Sequence, residues 1–448
     1  MTTETQDKHL VAVVGAGPAG LYASGCLASD GVHIVLLNRD IKPGGLAEYG
    51  IYHDKHKMKE GLRKQFRKIL AMPEIEYFGN VTVGTETGLS LEDLKNLGFQ
   101  AIIVTVGAQG TKWLGLPGEE LQGVYHAKDV VYYYNDLPPF STMEYHIGKR
   151  VAIIGVGNVM MDIAHWCVRD LKVDEVIAVA RRGPAEVKFT KKEMQNVGAN
   201  LDTADLEKEI ESVSARMEAV DQDPQAAKDF ILSGLPKALE PVSDTVFSFR
   251  FLSSPCRILG DENGKVAGLE VEDTKLVLVD GVTKARGLDT RQVLDVDTVI
   301  FCIGDKVDDK FGLPIQWNEF IKNPNPQYPI DDISFEAFDP ETETPIEGVF
   351  VAGWSREASN GLVGVARKDG IKGAQATSKY LENVPAQSDP SKIIAKLKKV
   401  LEQREEPFVT KDDVTQLEEI ERDEAEKRGL ETYKMKTNQE MLDSLGSL

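Results

Sequence analysis

The sequence predicts an α/β protein with two three-layer domains. The pattern of an apolar run, a glycine-rich turn and a helix occurs twice, at residues 10–30 and again at residues 151–169. Each instance is followed by a second apolar run, at 33–37 and at 175–180. Strand–helix–strand units of this kind form doubly wound parallel sheets. The two units therefore predict two Rossmann-like nucleotide-binding domains, one for each of two dinucleotides.

The length and composition are those of a soluble globular protein. The chain has 448 residues, of which 42% are hydrophobic and 28% charged, so it can bury a large core. Residues 1–10 are too polar for a secretory signal, and no apolar run approaches the length of a membrane span. We therefore expect a cytoplasmic protein. The net charge of −20 argues against binding to nucleic acid or to anionic membranes, unless a local basic patch exists.

The cysteines exclude several kinds of redox centre. The chain has four, Cys26, Cys167, Cys256 and Cys302, and none forms a C-x-x-C pair. This spacing argues against a dithiol active site, an iron–sulfur cluster and a disulfide framework. Each cysteine is expected to be a small buried residue, and no metal site is predicted. Redox chemistry would therefore depend on a bound cofactor.

The first glycine-rich turn carries a complete dinucleotide fingerprint. Gly15 allows the tight turn, Gly17 lets a pyrophosphate approach the backbone, and Gly20 lets the helix pack closely on the strand. The free N–H groups at the helix start would face the phosphates. Asn38 stands at the end of the second strand, where an acid usually holds the ribose. The alternative is a turn with a purely structural role. Three features together suit FAD: the position of the first turn near the N-terminus, the glycine-rich loop at residues 43–46 and a late strand before Gly353.

The second turn departs from the fingerprint but is followed by arginines. Met160 takes the place of the third glycine, after Gly155 and Gly157. Where NAD enzymes carry an acid after the next strand, this chain has Arg181 and Arg182. Guanidinium groups pair with a 2′-phosphate, which an acid would repel. The sequence therefore favours NADP, and a solvated arginine pair at a strand end is the alternative.

Further strands and helices are predicted from the remaining apolar and polar runs. Strands are expected at 101–106, 247–252, 268–272, 274–279, 298–303 and 349–352. Residues 202–239 are polar and favour helix, and the chain after Pro385 is charged with helical patterns. We expect this tail to form solvated helices packed on the body or on a partner.

The chain resembles adrenodoxin reductase and its bacterial ferredoxin–NADP reductase relatives over nearly its whole length. Several matching segments carry no general nucleotide-binding signal, which makes the resemblance specific. The matching segments are residues 15–20, 44–50, 107–108, 116–121, 134–138, 157–162, 181–184, 189–190, 249–251, 254–255, 303–304, 353–363 and 439–442.

The resemblance implies an FAD domain that is split around an NADP domain. The FAD domain would comprise residues 1–107 and 331–448, and the NADP domain residues 108–330. The residues that the resemblance assigns to FAD are Ala19, Asn38, Leu46, Val83, Trp354, Gly361, Leu362 and Val363. Those that it assigns to NADP are Val156, Gly157, Asn158, Val159, Arg181, Arg182 and Glu193.

The implied activity is electron transfer from NADPH, through FAD, to a ferredoxin- or flavodoxin-like carrier. Hydride transfer to a flavin needs orientation more than a side-chain acid, so no catalytic residue is assigned. One alternative is the small-subunit type of glutamate synthase, whose members usually carry an N-terminal cysteine-rich region that this chain lacks. Another alternative is a flavoprotein that has lost turnover and serves assembly.

Some positions depart from the family pattern. Asn38 stands where the family usually has Glu, Glu48 replaces a basic residue, and Lys55 replaces a histidine beside Asp54. The stretch 355–360 also differs. The roles of Asp54 and Lys55 stay open, since a surface ion pair is as plausible as tuning of the flavin.

One basic run offers a docking surface for an acidic carrier. It comprises Lys55, Lys57, Lys59, Arg63, Lys64, Arg67 and Lys68. We predict that a helix there presents positive charge beside the flavin. An ordinary amphipathic helix with a solvated face is the alternative.

Overall fold

The computed structural model describes residues 8–86, 88–358, 361–387 and 389–446. The chain divides into two compact units. The first comprises the residues up to Thr111, the segment Tyr132–Thr142 and the residues from Gly304 onward. The second comprises Lys112–Val131 and Met143–Ile303. Residues 304–330, which the sequence grouped with the NADP domain, thus lie in the first unit. The assignment of one nucleotide to each unit stays a prediction.

The described strands are mostly short, and those of the two parallel sheets are largely buried. In chain order they are β1 (Leu10–Val14), β2 (His33–Leu37), β3 (Ile75–Phe78), β4 (Ala101–Val104), β5 (Gly110–Thr111), β6 (Val124–His126), β7 (Arg150–Ile154), β8 (Glu175–Val179), β9 (Val246–Arg250), β10 (Ser253–Gly260), β11 (Val266–Val279), β12 (Val282–Leu294), β13 (Thr298–Phe301), β14 (Asp305–Lys306), β15 (Ile315–Gln316), β16 (Glu319–Phe320), β17 (Glu336–Asp339) and β18 (Thr344–Val351).

The described α-helices connect or cover these strands. In chain order they are α1 (Pro18–Ser29), α2 (Leu46–Tyr49), α3 (His56–Leu70), α4 (Leu91–Leu97), α5 (Ala127–Tyr134), α6 (Asn158–Trp166), α7 (Lys191–Met194), α8 (Thr203–Glu218), α9 (Pro224–Leu232), α10 (Val363–Leu381), α11 (Pro390–Glu402), α12 (Lys411–Arg428) and α13 (Asn438–Ser444). None of the helices in the described ranges is long and apolar enough to cross a membrane.

The first unit is built on a six-stranded sheet in the order β17-β18-β4-β1-β2-β3. All neighbours are parallel except β17 and β18. Side chains alternate along β1, so that Val11 and Val13 face one core cluster while Leu10 and Ala12 face the other. A parallel sheet covered on both faces explains why its strands are almost continuously apolar.

The second unit is built on a five-stranded parallel sheet in the order β6-β13-β7-β8-β9. A three-stranded antiparallel sheet, β10-β11-β12, packs against it through Leu269 and Val271. The two strands predicted at 268–272 and 274–279 are one strand, β11, with an irregularity between Glu272 and Thr274. The predicted α/β class with two nucleotide-binding sheets is confirmed.

The charged C-terminal tail belongs to the core of the first unit. Leu397 of α11 packs on one face of the six-stranded sheet, and Leu417 of α12 packs on the other. Met441 of α13 joins the same cluster as Leu417. The tail helices are therefore solvated on their outer sides and packed on the body, one of the two arrangements that the sequence allowed.

Candidate nucleotide-binding sites

The first glycine-rich turn is closely packed at two of its glycines and open at the third. Gly15 has φ +106°, and a Cβ there would lie 2.5 Å from the carbonyl oxygen of Thr105. A Cβ on Gly20 would lie 1.9 Å from the carbonyl oxygen of Gly15. Around a Cβ on Gly17, by contrast, no heavy atom of the described residues lies within 4 Å. The turn thus leaves room at the position where a pyrophosphate would approach.

The start of α1 offers its amides to the same space. Gly17 is the N-cap residue, and no side chain caps the helix. Pro18 occupies the first helical position, where the missing N–H is not needed. Ala19 is buried, because Gly353 and Gly370 approach it so closely that a Cβ on either would overlap with it. The uncapped amides and the partial positive charge of the helix end favour an anion here.

Asn38 is buried at the end of β2 and bonded to the backbone around the turn. Its Oδ1 accepts a hydrogen bond from the amide of Ala16 (2.9 Å). Its Nδ2 donates to the carbonyl oxygens of Asp40 (2.8 Å) and Lys42 (3.1 Å), and lies 3.3 Å from the Tyr77 hydroxyl. Asn38 therefore fixes the shape of the turn, and its contact with the ribose stays a prediction.

The glycine-rich loop after β2 passes directly over the turn. The amide of Gly44 donates to the carbonyl oxygen of Ala16 (2.7 Å). Gly45 has φ +49°, and a Cβ there would lie 3.1 Å from the Cα of Gly17. Leu46 begins α2 and packs against a small cluster of Tyr49, Tyr132 and Leu137. The structure thus brings Leu46 close to the open face of the turn, whereas Val83 is buried in the core beneath the sheet.

The late strand β18 ends in a turn that is fixed by an aspartate. Asp369 on α10 accepts a hydrogen bond from the amide of Gly353 (2.6 Å) and pairs with the guanidinium of Arg356 (2.6 Å). Ser355 accepts from the amide of Gly107 (3.0 Å), so the turn also meets the end of β4. Trp354, predicted to lie at the flavin, is held between these contacts. No motif in the sequence had pointed to Asp369.

The segment after this turn carries the remaining predicted FAD residues. Gly361 has a positive φ of 75°, Leu362 is the N-cap residue of α10 with 67% exposure, and Val363 is its first residue. Ser359 and Asn360, part of the stretch that departs from the family pattern, lie outside the described residues. So do residues 1–7, on which the expectation about a signal peptide partly rested.

A buried charge network lies beneath the 44–50 loop. Glu48 is 3% exposed and accepts hydrogen bonds from Arg63 Nε (2.7 Å) and Nη2 (2.5 Å). Lys434, from the tail, lies 2.7 Å from the same carboxylate. A second buried pair joins Lys42 and Glu421. Burial alone would raise the pKa of Glu48, but Lys434 and Arg63 hold it well below its usual value.

The structure removes Lys59 and Arg63 from the docking surface that the basic run at 55–68 predicts. Lys59 is buried, with 4% exposure, and Arg63 is bonded to Glu48. Arg67 pairs with Glu418 (2.5 Å) of α12. Lys59 and Arg63 are therefore bonded to partners inside the unit, whereas Arg67 is paired but exposed. The exposed members of the run are Lys57, Lys64, Arg67 and Lys68, with Asp54 exposed and Lys55 half-buried before them.

The second glycine-rich turn repeats the open position of the first. Gly155 has φ +124°, and a Cβ there would lie 2.4 Å from the carbonyl oxygen of Cys302. A Cβ on Gly157 would have no described heavy atom within 4 Å. Gly157 is the N-cap residue of α6, which no side chain caps. This turn can therefore also receive a phosphate at a helix start.

The residues around this second turn are linked through a neighbouring loop. Asn158 Oδ1 accepts a hydrogen bond from the amide of Thr190 (3.0 Å), whose hydroxyl oxygen accepts from the amide of Glu193 (3.3 Å). The carbonyl oxygen of Val156 accepts from the amide of Lys188 (2.8 Å). Val159 is 45% exposed on the first turn of α6. The structure thus brings Asn158 and Glu193 together.

The two arginines after β8 have fixed backbones and accessible side chains. The carbonyl oxygen of Arg181 accepts from the Thr274 hydroxyl (2.7 Å), and that of Arg182 from the amide of Leu252 (3.1 Å). The Arg181 side chain is exposed and Arg182 is half-buried. Among the described residues, neither guanidinium forms an ion pair. Both are therefore available to an anionic ligand.

The cysteines do not form a thiol centre. All four are free, and Cys167 is buried. Burial, with Asp170 nearby, raises the pKa of Cys167 to about 12, and burial also raises the pKa of Cys26 and Cys256. The expectation that all four are buried is wrong for Cys26, Cys256 and Cys302, which are partly exposed.

Known proteins show the same architecture. Residues 9–228 match the family model described as pyridine nucleotide-disulphide oxidoreductase. The chain is 28% identical to NADPH-ferredoxin reductase FprA of Mycobacterium leprae, over 97% of this chain and 98% of that one. It is 26% identical to the human mitochondrial NADPH:adrenodoxin oxidoreductase, over 99% and 93%. A solved structure, Mycobacterium tuberculosis FprA in complex with NADPH, matches with a TM-score of 0.80 at 26% identity and covers 98% of this chain and 99% of its own.

Proposed function

We infer that this chain, a homologue of the NADPH-ferredoxin reductases and the adrenodoxin reductases, is an FAD-dependent oxidoreductase. It takes a hydride from NADPH and delivers single electrons to a ferredoxin-like carrier. The observation that carries this inference is the pair of open glycine turns, at Gly17 and Gly157, each at an uncapped helix start. Two such turns in two separate units provide one site for each dinucleotide.

The first unit fits FAD. A pyrophosphate would lie against the uncapped start of α1, over Gly17, where a side chain would take its place. The loop at 44–50 and the turn at Gly353 would enclose the rest of the cofactor. When bound, FAD supplies the conversion between hydride transfer and single-electron transfer. The protein's part is to hold and orient the cofactor, and Asp369 and Asn38 serve this purpose by fixing the turns that surround it.

The second unit fits NADPH. Gly157 leaves space for the pyrophosphate, and the exposed Arg181 with Arg182 beside it would pair with the 2′-phosphate. Because the Arg181 and Arg182 backbones are hydrogen-bonded to Thr274 and Leu252, their side chains start from a fixed position. A charge-assisted contact to the 2′-phosphate, which NADH lacks, favours NADPH over NADH.

The electron acceptor is a small acidic carrier, and its docking surface includes the outer face of α3. Three exposed lysines, Lys57, Lys64 and Lys68, remain on that helix after Lys59 and Arg63 are assigned to the interior. Positive charge on an otherwise acidic protein would steer an acidic carrier to this place. We also place the protein in the cytoplasm, in line with its similarity to bacterial reductases, whereas the named adrenodoxin reductases are mitochondrial.

The test is NADPH-dependent reduction of a ferredoxin or flavodoxin by the purified protein. The double variant Lys64→Glu, Lys68→Glu should raise the KM for the carrier, while reduction of a small neutral quinone should change little. The wild-type rate with the carrier should fall as salt is added, since screening shortens the reach of surface charge to about 8–10 Å near physiological ionic strength.

A charge reversal on another helix provides the matched control. Lys427 is exposed on α12, and Lys427→Glu changes the net charge by the same amount per site. It should leave the KM for the carrier nearly unchanged. Equal effects of the α3 and α12 reversals would contradict the docking surface, and failure to reduce any one-electron carrier would contradict the proposed function.

A further inference from the structure

We propose that a cationic cavity in the first unit binds a small divalent oxyanion, of the chemical class of sulfate or inorganic phosphate. The cavity has a volume of about 180 Å³. The residues that carry the argument are His53, His56, Lys59, Arg63, Lys434 and Asp136, all of which line it. Five of these six side chains are cationic or can become so.

The positive charge comes from three separate segments of the first unit. His53 lies in the loop before α3, and His56, Lys59 and Arg63 lie in the first half of that helix. Asp136 belongs to the segment 132–142, and Lys434 to the tail after α12. No single helix end or run of lysines therefore accounts for the cluster. Tertiary packing of the unit assembles it, as expected for a binding site.

Lys59 is the clearest sign that the cavity suits an anion. Its Nζ donates to Asn135 Oδ1 (2.5 Å), and an ammonium group has three donors. The side chain is 4% exposed, so that it has little contact with bulk solvent. Burial, with the charge of Lys434 beside it, lowers the pKa of Lys59 to about 7. A buried ammonium without a full counter-charge is costly, and an oxyanion would offset that cost.

The nearby carboxylates of Glu48 and Asp136 already have cationic partners. Glu48 raises the pKa of Lys59 from one side, but its oxygens are bonded to Arg63 and Lys434. Asp136 faces the cavity from another side and pairs with Lys436 (3.7 Å), while burial raises its pKa. Lys59, Arg63 and Lys434 thus outnumber the carboxylates of Glu48 and Asp136 around the cavity, while Glu431 lies 3.8 Å from His56.

The cavity is distinct from the two predicted nucleotide sites. Its lining includes none of the residues that the motifs or the resemblance assign to FAD or NADP. An anion there would join α3, the segment 132–142 and the tail, and it would relieve the repulsion between Lys59 and Lys434. Because such a ligand binds the folded chain and not the unfolded one, it should raise the unfolding temperature.

The test uses calorimetric titration of the FAD-loaded protein with sulfate, at ionic strength held constant with chloride. Sulfate keeps its charge across the pH range, so that the protein's protonation governs any pH effect. We expect saturable binding that weakens as pH rises through about 7, because Lys59 loses its proton there. Binding should survive Arg181→Ala, which separates this site from the predicted 2′-phosphate site.

Variants on α3 locate the site. Lys59→Met should weaken sulfate binding by about tenfold or more and reduce its pH dependence. Lys64→Met, on the exposed side of the same helix, should bind sulfate as the wild type does. Equal affinity in the wild type and Lys59→Met would overturn the proposal, as would the absence of any binding beyond that of chloride.

A second variant, expected to bind sulfate more tightly, keeps the test decisive even if Lys59→Met misfolds. Asp136→Asn removes the carboxylate that faces the cavity and should tighten sulfate binding and increase its stabilising effect. Unchanged or weaker sulfate binding in this variant would also overturn the proposal. Neither outcome depends on electron transfer, so the result is independent of the proposed function.

Discussion

The two glycine-rich turns have similar sequences but pack differently. In the first unit, a Cβ on Gly20 would lie 1.9 Å from the carbonyl oxygen of Gly15. In the second unit, the matching residue is Met160, whose long side chain is fully buried. Both turns nevertheless keep the space around the middle glycine open. The third position therefore sets how closely the helix packs on its strand, while the middle glycine keeps open the space in which we propose that a phosphate binds.

The ends of the second strands differ as well. Asn38 is buried and bonded to backbone groups around the first turn, whereas Arg181 is exposed after β8. A site fixed by buried hydrogen bonds suits a cofactor that stays bound. A site with exposed guanidinium groups suits a nucleotide that binds and leaves with each turnover.

The difference at the third position predicts the largest effect. Gly20→Val should prevent folding of the first unit, because the added atoms would overlap the carbonyl oxygen of Gly15 and Thr105 Oγ1. Met160→Leu, at the matching place in the second unit, should cost less than about 1.5 kcal/mol. Yield of FAD-containing protein and thermal unfolding measure both. A stable, FAD-loaded Gly20→Val protein would refute this contrast.

The charge network beneath the first site predicts the next largest effect. Glu48→Gln leaves Arg63 and Lys434 without their buried counter-charge and should destabilise the protein by about 3–5 kcal/mol, measured by urea unfolding. Glu424→Gln, which removes a partly exposed partner of the exposed Arg428, should hardly change stability. Similar losses of stability in both variants would show that the buried network stabilises the protein no more than a surface ion pair does.

The pH dependence of stability checks the same network. The pKa of Glu48 in the folded protein lies well below that of an unfolded glutamate, about 4.3. Its stabilising effect is therefore present above that value and is lost as pH falls toward the folded pKa. Glu48→Gln should lose less stability than the wild type over that acidic range.

Substitution of the two middle glycines separates the cofactors. Gly17→Val should give mainly FAD-free protein, whereas Gly157→Val should keep FAD and weaken NADPH binding by about tenfold or more. Extraction of the flavin and NADPH titration measure the two effects. Loss of FAD in the Gly157 variant would contradict the assignment of one nucleotide to each unit.

The exposed arginine predicts a smaller and more selective change. Arg181→Ala removes one charge-assisted contact to the 2′-phosphate and should weaken NADPH binding by about 1.5–3 kcal/mol. NADH kinetics should hardly move, since NADH lacks that phosphate. If both nucleotides weaken equally, Arg181 acts on the fold or on the pyrophosphate instead.

Local patterns predicted the elements that carry the turns. The apolar runs at 10–14 and 33–37 are β1 and β2 as expected, because strands buried on both faces are continuously apolar. The strand β12 was missed, since its residues are mostly polar and exposed. A strand at the edge of a sheet that is exposed on both faces shows little alternation of apolar and polar residues.

Contacts between distant residues could not be predicted. Glu48 meets Lys434 from the other end of the chain, and Asp369 holds Gly353 from the middle of α10. The helical pattern of the basic run also did not show that Lys59 and Arg63 face inward to buried partners. Periodicity indicates which face of a helix is apolar, but the charges that meet it depend on the whole fold.

Anaerobic titration of the purified protein with NADPH tests directly whether the chain is an NADPH-dependent flavoprotein. We expect a yellow protein with one FAD per chain, whose visible absorbance is bleached by NADPH and much less readily by NADH. Added ferredoxin or flavodoxin should then restore the absorbance as it becomes reduced. A flavin that keeps its absorbance in excess NADPH, or a protein that carries no flavin, would contradict the proposed function.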